Sequence, residues 1–397
     1  MSEEENMVHL LLAIIYISFI SLGLPDGLLG AAWPSMYEGL NVPVSYAGVV
    51  SMIISGGTIL SALFSERLIA KLGTGLVTAL SVAMTAVALL GFSLSTGFWQ
   101  LCLWGIPYGL GAGSVDAALN NFVALYYESR HMSWLHCFWG VGCCTGPFVM
   151  SYFLTNGGVW SSGYCAIFVI QAVLTAMLII SLPLWKKKAA ENSDVSDISS
   201  QSLGLKKTLS IRGVKEAMLT FLCYCAVEST AGLWAVSYIV FDKGVSAEEA
   251  AGLGSVFYLG ITVGRFLNGF LTDKFSDKQL IRAGVGIIGA GIIVMFLPFG
   301  LVGAVIGLSL AGLGCAPVYP CLIHATPECF GAENSQAVIG VQMACAYVGT
   351  TFMPPLFGLL AENISVSLFP WYLVAILVLM FVLSERKNRL TSHVTQD

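Results

Sequence analysis

Long apolar runs alternate with short polar segments along almost the whole chain, from Leu10 to Leu383. Each run has about 20 residues, enough for a helix rising about 1.5 Å per residue to cross a hydrocarbon core roughly 30 Å thick. The pattern therefore predicts an all-α membrane protein. We expect twelve membrane-spanning helices, at approximately residues 8–33, 44–64, 76–94, 98–125, 132–154, 160–184, 213–239, 250–271, 280–298, 300–323, 334–360 and 367–384.

The composition excludes a soluble enzyme. Hydrophobic residues make up 56% of the chain and charged residues 10%, with a mean hydropathy of +0.82, whereas an average soluble domain carries roughly 25% charged residues. The 11 cysteines lie scattered in apolar runs, without the spacing of a disulfide framework or a zinc site. We interpret them as buried free thiols, and we predict no metal, no cofactor and no nucleic-acid partner.

The distribution of basic residues predicts the orientation of the spans. Of the 18 lysines and arginines, 16 fall on one side if the N-terminus is cytoplasmic, Lys243 alone falls on the other side, and Arg265 lies within a span. Because cytoplasmic loops are enriched in Lys and Arg, this asymmetry predicts an inner-membrane protein with both termini in the cytoplasm. The acidic stretch Ser2–Asn6 lacks the basic start of a secretory signal, so we expect the first helix to be retained.

A polar linker divides the chain into two related halves. We predict six-helix bundles at residues 1–185 and 212–397, joined by a cytoplasmic linker at 186–211 that is rich in Ser, Lys, Asp and Asn. A shift of 203 residues places Gly109 on Gly312, a shift of 202 places Asp26 on Glu228, and a shift of 207 places Gly142 on Gly349. Such an internal duplication is typical of transporters that move two halves about a central site.

The chain resembles the major facilitator superfamily over essentially its whole length. The residues between spans eight and nine that match the cytoplasmic loop signature of that superfamily are Gly269, Leu271, Asp273, Lys274 and Lys278. The resemblance implies a fold of two pseudo-symmetric six-helix bundles and a gating role for that loop. The equivalent loop of the first half departs from the signature, since Ala70 stands where an acidic residue is expected.

Within that superfamily the chain is most similar to the fucose permease-like sugar and proton symporters. The segments that carry this similarity are Asp26 in span one, Gly111–Asn121 in span four, Leu135–Pro147 in span five and Ala316–Pro320 in span ten. The chain departs from those permeases in having Asp116 where they carry a glutamate, and His136 and Trp139 where they carry amides. The identity of the sugar therefore does not transfer.

Ionisable residues inside the spans are the strongest functional signal from the residues themselves. A charge near the bilayer centre costs about 2.5 to 3.5 kcal/mol, so it persists mainly where it faces a cavity or a partner. Asp26, Glu228 and Asp116 are our candidates for proton coupling, with Asp26 first because the resemblance places a coupling aspartate there. Each of them has a structural alternative, a hydrogen bond to a neighbouring helix, and Asp26 could also be a polar group at a hinge beside Pro25 and Gly27. For Arg265 we favour a structural role, either pairing with an acid or supporting the loop.

Polar and aromatic residues inside the spans are candidates for binding a solute, because aromatic faces pack on sugar rings and amides bind hydroxyls. Asp116 and Asn120 share one face of span four, and with His136 they form a predicted polar triad that either binds hydroxyls, relays a proton or fixes two spans together. The candidate substrate-binding residues are Asn120, Asn121, His136, Trp139, Gln171, Trp234, Tyr238, Asn268, Tyr319 and Gln342. Each of these residues also fits ordinary helix packing.

The leading hypothesis is the import of a sugar or sugar-like solute by proton symport through alternating access, carried out by a monomer. The run Gly105–Gly113 lacks the ending of a nucleotide-binding loop, so we attribute it to close helix packing and disfavour an ATP-driven pump. Four alternatives stay open: export of a drug or metabolite by proton antiport, sodium coupling, a transporter-like receptor without turnover, and a membrane enzyme, which the absence of a recognisable catalytic motif weakens.

Overall fold

The computed structural model describes residues 3–127, 129–190 and 205–391. Within these ranges the chain forms fifteen α-helices and one short 3-10 helix, and it contains no β-strand. The prediction of an all-α protein is therefore confirmed. The described residues fall into two compact units, of which the first comprises Met1–Asp197 with Ser246–Ser255 and the second comprises Ile198–Val245 with Val256–Asp397.

The first unit contains the helices of the first half and one short helix from later in the chain. The helices are α1 (Glu3–Gly23), α2 (Leu28–Met36), α3 (Tyr46–Leu72), α4 (Thr74–Leu94), α5 (Phe98–Tyr126), α6 (Ser129–Thr155), α7 (Trp160–Ala190) and α10 (Ala247–Leu253). Helix α5 packs between α3 and α4, α4 also packs on α7, and α1 packs on α6. The short helix α10 packs on α6 and α2, where Ser151 donates a hydrogen bond to the carbonyl oxygen of Glu248 at 3.0 Å.

The second unit is built from the remaining helices. They are α8 (Leu205–Thr208), α9 (Val214–Lys243), α11 (Ser255–Leu271), α12 (Asp277–Phe296), α13 (Gly300–Phe330), α14 (Ala332–Asn363) and α15 (Phe369–Thr391), with a 3-10 turn at Val366–Leu368. Helix α9 packs against both α14 and α15, and α12 packs against α13. On the side where α9 begins, the guanidinium of Arg282 binds both carboxylate oxygens of Glu385 at 2.6 and 2.7 Å, which ties α12 to α15.

Eleven stretches of the described chain are long and apolar enough to cross a membrane. They correspond to eleven of the twelve predicted spans, and the predicted span that is missing among them is α5. Helix α5 has 29 residues, so it is long enough to cross, but its Gly, Pro, Trp, Asp and Asn residues make it less apolar than the others. Spans one and eight are each divided into two helices, α1 with α2 and α10 with α11, whereas the sequence predicted a single helix for each.

Glycines at matching positions let helices cross closely in both halves. A Cβ atom on Gly142 of α6 would collide with the carbonyl oxygen of Ile20 in α1, and a Cβ on Gly349 of α14 would collide with that of Leu222 in α9. Ile20 and Leu222 are 202 residues apart, which is the shift that relates Asp26 to Glu228. Each unit thus repeats the same backbone contact between its first and fifth spans.

The Gly-rich run of span four also has a packing role. A Cβ on Gly109 of α5 would collide with the carbonyl oxygen of Ile54 in α3, and one on Gly312 of α13 would collide with that of Phe257 in α11. The interpretation of this run as a helix-packing surface is confirmed. All 11 cysteines are free thiols, as predicted, and eight of them are buried.

Candidate functional site

Span one is interrupted at the residues that carry its charge. Helix α1 ends at Gly23 and α2 begins at Leu28, and the turn between them closes with short-range hydrogen bonds from Asp26 N to Gly23 O and from Leu28 N to Pro25 O, each of 3.1 Å. Pro25 has no N–H to continue the α1 ladder, which explains a break at this point. Because the chain turns here, Asp26 lies at a helix interruption inside the span.

The carboxylate of Asp26 accepts hydrogen bonds on both of its oxygens. The indole Nε1 of Trp139 in α6 donates to Oδ2 at 2.8 Å, and the hydroxyl of Tyr108 in α5 donates to Oδ1 at 3.2 Å. Asp26 is itself exposed, whereas Tyr108 is buried and Trp139 is half-buried. The arrangement can hold a carboxylate in a fixed orientation while part of its surface stays uncovered by the protein.

The predicted pairing of Asp116 and Asn120 is present on α5. The side-chain amide of Asn120 donates to Oδ1 of Asp116 at 2.9 Å and to the Asp116 carbonyl oxygen at 3.0 Å. His136, the third member of the predicted triad, packs its ring edge-on against Phe19 of α1, with ring centroids 5.7 Å apart. The backbone of Asn121 lies in α5, but its side chain is outside the described part of the structure.

The second unit holds its own charged pair. Glu228 in α9 and Arg265 in α11 form an ion pair with a shortest N–O distance of 3.5 Å, and their side chains are 19% and 13% exposed. Arg265 therefore pairs with an acidic group, which is one of the two roles that the sequence suggested for it. Most of both side chains is buried, where an unpaired charge would be costly. The opposite charge of the partner compensates each of them inside the unit.

Five of the predicted substrate-binding residues hold helices together. Gln171 in α7 is 1% exposed and donates to the Ser21 carbonyl oxygen in α1 at 2.6 Å. Trp234 in α9 is fully buried and donates to the carbonyl oxygen of Pro354 in α14 at 2.9 Å. Gln342 accepts from Thr326 at 3.1 Å, Tyr238 packs on Phe369, and Tyr319 packs edge-on against Phe221.

Asn268 and the loop signature lie at the end of α11. Asn268 is buried three residues before the helix ends, so at about 1.5 Å per residue it lies near one end of the span. Gly269 is in the last turn of α11, and Asp273 and Lys274 form the turn that follows. Lys278 is in the first turn of α12, which begins with a capping box between Ser276 and Gln279.

Two interactions at the site were not anticipated from the sequence. Tyr108 is not among the predicted site residues. It lies eight residues before Asp116 and so on the same face of span four, and this spacing is the sequence signal that points to it. Next to the loop, His324 of α13 contacts the Asp277 carboxylate at 2.7 Å. The sequence gives no direct signal for this second pair, because its members are 47 residues apart.

Two units of membrane-spanning helices, each carrying ionisable groups inside its spans, define the class of polytopic membrane transporters. The chain belongs to the Major Facilitator Superfamily, whose family model matches residues 15–241 and 216–392. The predicted family and fold are therefore confirmed.

Curated relatives and solved structures match most of the chain. Bypass of stop codon protein 6 of Saccharomyces cerevisiae is 23% identical, covering 95% of this chain and 82% of its own length, and the glucose/mannose transporter GlcP of Bacillus subtilis is 22% identical, covering 77% of each. The nucleoside transporter NupG superimposes with a TM-score of 0.75 at 12% identity, covering 95% of this chain and 98% of its own. The MFS transporter FucP superimposes with a TM-score of 0.63 at 15% identity, with the same coverage.

Proposed function

We propose that this protein imports a sugar or a related uncharged polar solute together with a proton, with Asp26 as the group that carries the proton. The observation that carries the proposal is the carboxylate of Asp26, which is exposed at a helix break inside span one while both of its oxygens accept hydrogen bonds. A proton carrier needs a fixed position and a surface that the protein leaves uncovered, and the hydrogen bonds and the exposure of Asp26 support this role.

The other two acidic candidates are engaged differently. Glu228 forms an ion pair with the guanidinium of Arg265, and Asp116 is bonded to the amide of Asn120 on its own helix. Each has an internal partner that a structural role would require. We therefore assign the proton to Asp26 and a supporting role to Asp116 and Glu228.

The charges inside the spans favour an uncharged solute. Capture of an anion usually needs a converging set of cationic or hydrogen-bonding donors. Arg265, a basic residue within span eight, is already paired with Glu228. GlcP carries glucose and mannose and NupG carries nucleosides, both of which are polyhydroxylated. Trp139, Asn120 and His136 offer an aromatic face, an amide and an imidazole for such a solute.

The energetics of one proton are sufficient for concentrative uptake. A single charge that moves down about 100 mV releases about 2.3 kcal/mol, which corresponds to an accumulation of an uncharged solute of roughly fifty-fold. A single titrating carboxylate therefore meets the requirement.

We further propose that the protein lies in the inner membrane with both termini cytoplasmic, works as a monomer, and uses the loop of Asp273, Lys274 and Lys278 in gating.

The test is uptake into proteoliposomes with an imposed proton gradient, using a panel of sugars, polyols and nucleosides. Asp26→Asn keeps the size of the side chain and one of its two acceptor oxygens, but it cannot take up a proton. We expect it to abolish uphill uptake while exchange of labelled for unlabelled solute continues at equal concentrations.

Glu248→Gln is the matched control, because it neutralises an exposed carboxylate on α10 without touching Asp26. It should retain uphill uptake. Concentrative uptake by Asp26→Asn at the level of the unmodified protein would remove Asp26 from the mechanism, and a requirement for sodium at fixed pH would replace the proton as the coupling ion.

A further inference from the structure

The two donors to Asp26 differ in chemistry. The indole of Trp139 can only donate a hydrogen bond, whereas the hydroxyl of Tyr108 can donate one and accept one. In the structure both donate, one to each carboxylate oxygen, which is the arrangement that an ionised carboxylate requires. The two contacts therefore respond differently when Asp26 takes up a proton.

A protonated carboxyl group needs an acceptor for its new hydrogen. A proton on Oδ2 would face the N–H of Trp139, which cannot accept it. A proton on Oδ1 faces the oxygen of Tyr108, which can accept it once the hydroxyl turns about its C–O bond. The proton comes from water and forms one O–H bond on Oδ1, so the charge of Asp26 changes from −1 to zero and no covalent bond of Tyr108 changes.

The turned hydroxyl of Tyr108 needs an acceptor of its own, because it is buried. A small cavity with room for about one water molecule lies beside Tyr108, between α1, α4, α5 and α7. Its polar lining consists of Ser21, Thr85, Gln171 and Tyr108 itself. Ser21 donates to Gln171 Oε1 at 3.1 Å, and this leaves oxygen lone pairs on both side chains for a water molecule.

We propose that Tyr108 is the switching partner of Asp26: its hydroxyl donates to the ionised carboxylate, turns to accept from the protonated one, and then donates to a water molecule held in the adjoining cavity. Tyr108 is thus a positioning residue that fixes the proton on Oδ1. This inference rests on the proposed role of Asp26 in proton coupling. Cys143 and Tyr164, the other titratable side chains of the described residues that interact with Tyr108, are a thiol and a phenol, which are uncharged near neutral pH.

The test follows the protonation of Asp26 itself, by infrared titration of its carboxyl C=O stretching band in the purified full-length protein. The band is assigned by its absence in Asp26→Asn. In Tyr108→Phe the ionised carboxylate loses a charge-assisted donor, while the neutral form loses a weaker acceptor. We expect the midpoint of the band to move to higher pH by about one unit and its frequency to rise.

A second variant leaves Tyr108 in place and fills the cavity. Ala112 lines the cavity, and Ala112→Val adds two methyl groups where the water would lie. We expect its midpoint to move in the same direction as that of Tyr108→Phe. A single symmetric peak in size-exclusion chromatography and a thermal midpoint of unfolding close to that of the unmodified protein show that each variant is folded.

The outcomes separate the two proposals. If no Asp26-dependent band titrates in the unmodified protein, Asp26 does not carry a proton and the proposed function fails. If the band titrates but either Tyr108→Phe or Ala112→Val keeps the midpoint of the unmodified protein, the switching role of Tyr108 is overturned while the role of Asp26 stands.

Discussion

An ionisable side chain within a membrane span needs compensation for about 2.5 to 3.5 kcal/mol, and this chain provides it in three ways. Asp26 has two donors from neighbouring helices, Asp116 has an amide on its own helix, and Glu228 has the opposite charge of Arg265. Of the three carboxylates, only that of Asp26 is both held by donors from neighbouring helices and exposed. We therefore propose Asp26, and not Asp116 or Glu228, as the group that carries the proton.

The energetic coupling between Glu228 and Arg265 can be tested by removing each charge alone and both together. Removing one partner leaves the other charge buried without compensation, which typically costs about 3 to 5 kcal/mol, whereas removing both charges together is often nearly neutral. We expect Glu228→Gln and Arg265→Gln each to lower the thermal midpoint of unfolding by several degrees and the double variant to recover most of the loss.

The measurement can use the protein's own cysteines. Cys223, Cys225 and Cys315 are buried thiols of the same unit, so a thiol-reactive dye reports unfolding in detergent without an added label. A double variant with a loss equal to the sum of the two single losses would show that the pair is not coupled.

Some residues of the site can be predicted from the sequence, and others cannot. Asp26 and Arg265 could be selected because a charge inside an apolar run is conspicuous. Tyr108 could not be distinguished by its type, since a tyrosine inside a span is usually a packing residue, and its role depends on an oxygen that belongs to another helix. Similarly, no sequence rule identifies Glu228 as the partner of Arg265, which lies 37 residues further along the chain.

At the scale of elements, hydropathy predicted where spans lie but not where they break. Hydropathy predicts one span through Pro25 and Gly27, with a hinge beside them only as an alternative for Asp26, whereas the structure ends α1 at Gly23 and starts α2 at Leu28. Apolar content does not reveal such a break, because Leu24, Pro25 and Gly27 of the turn are buried like the helices beside them. Packing between helices was more predictable, since runs of glycine indicate close approach.

The close contact between α5 and α3 at Gly109 can be tested by adding a methyl group. A methyl group there would collide with the Ile54 carbonyl oxygen, and overpacking of this kind costs about 1 to 3 kcal/mol. We therefore expect Gly109→Ala to lower the thermal midpoint in detergent.

The matched control is Gly56→Ala, which lies in α3 with open space around an added Cβ. It should be neutral or stabilise the protein by up to about 1 kcal/mol, because Ala has the higher helix propensity. Equal effects of the two substitutions would mean that the α3 and α5 backbones are not in close contact.

At the scale of the whole molecule, the two halves repeat backbone contacts as well as sequence. The crossing of Gly142 on Ile20 recurs as Gly349 on Leu222, and the acidic residue six positions after each carbonyl is Asp26 in one half and Glu228 in the other. The repeated frame nevertheless holds different chemistry, since one acid is exposed and the other is paired with an arginine. The two halves therefore share a backbone contact and differ in the surroundings of the equivalent acidic residue.

The orientation of this frame follows from charge and can be tested directly. Sixteen of the 18 lysines and arginines lie on the predicted cytoplasmic side, and because translocating such loops is disfavoured, that side should stay inside the cell. Single cysteines at Asn156 and Lys206, both exposed, mark the two sides. We expect an impermeant maleimide to label Asn156→Cys in intact cells and to label Lys206→Cys only after permeabilisation.

The unmodified protein provides the background for this labelling, which should be low because most of its cysteines are buried. The reverse labelling pattern would place the basic loops outside, against the charge asymmetry. It would leave the direction of proton-driven uptake unchanged, because the proton gradient, and not the orientation of the protein, sets the direction in which a symporter moves its solute. The sixteen charges therefore bear on the topology of the chain, which this labelling tests separately from the direction of transport.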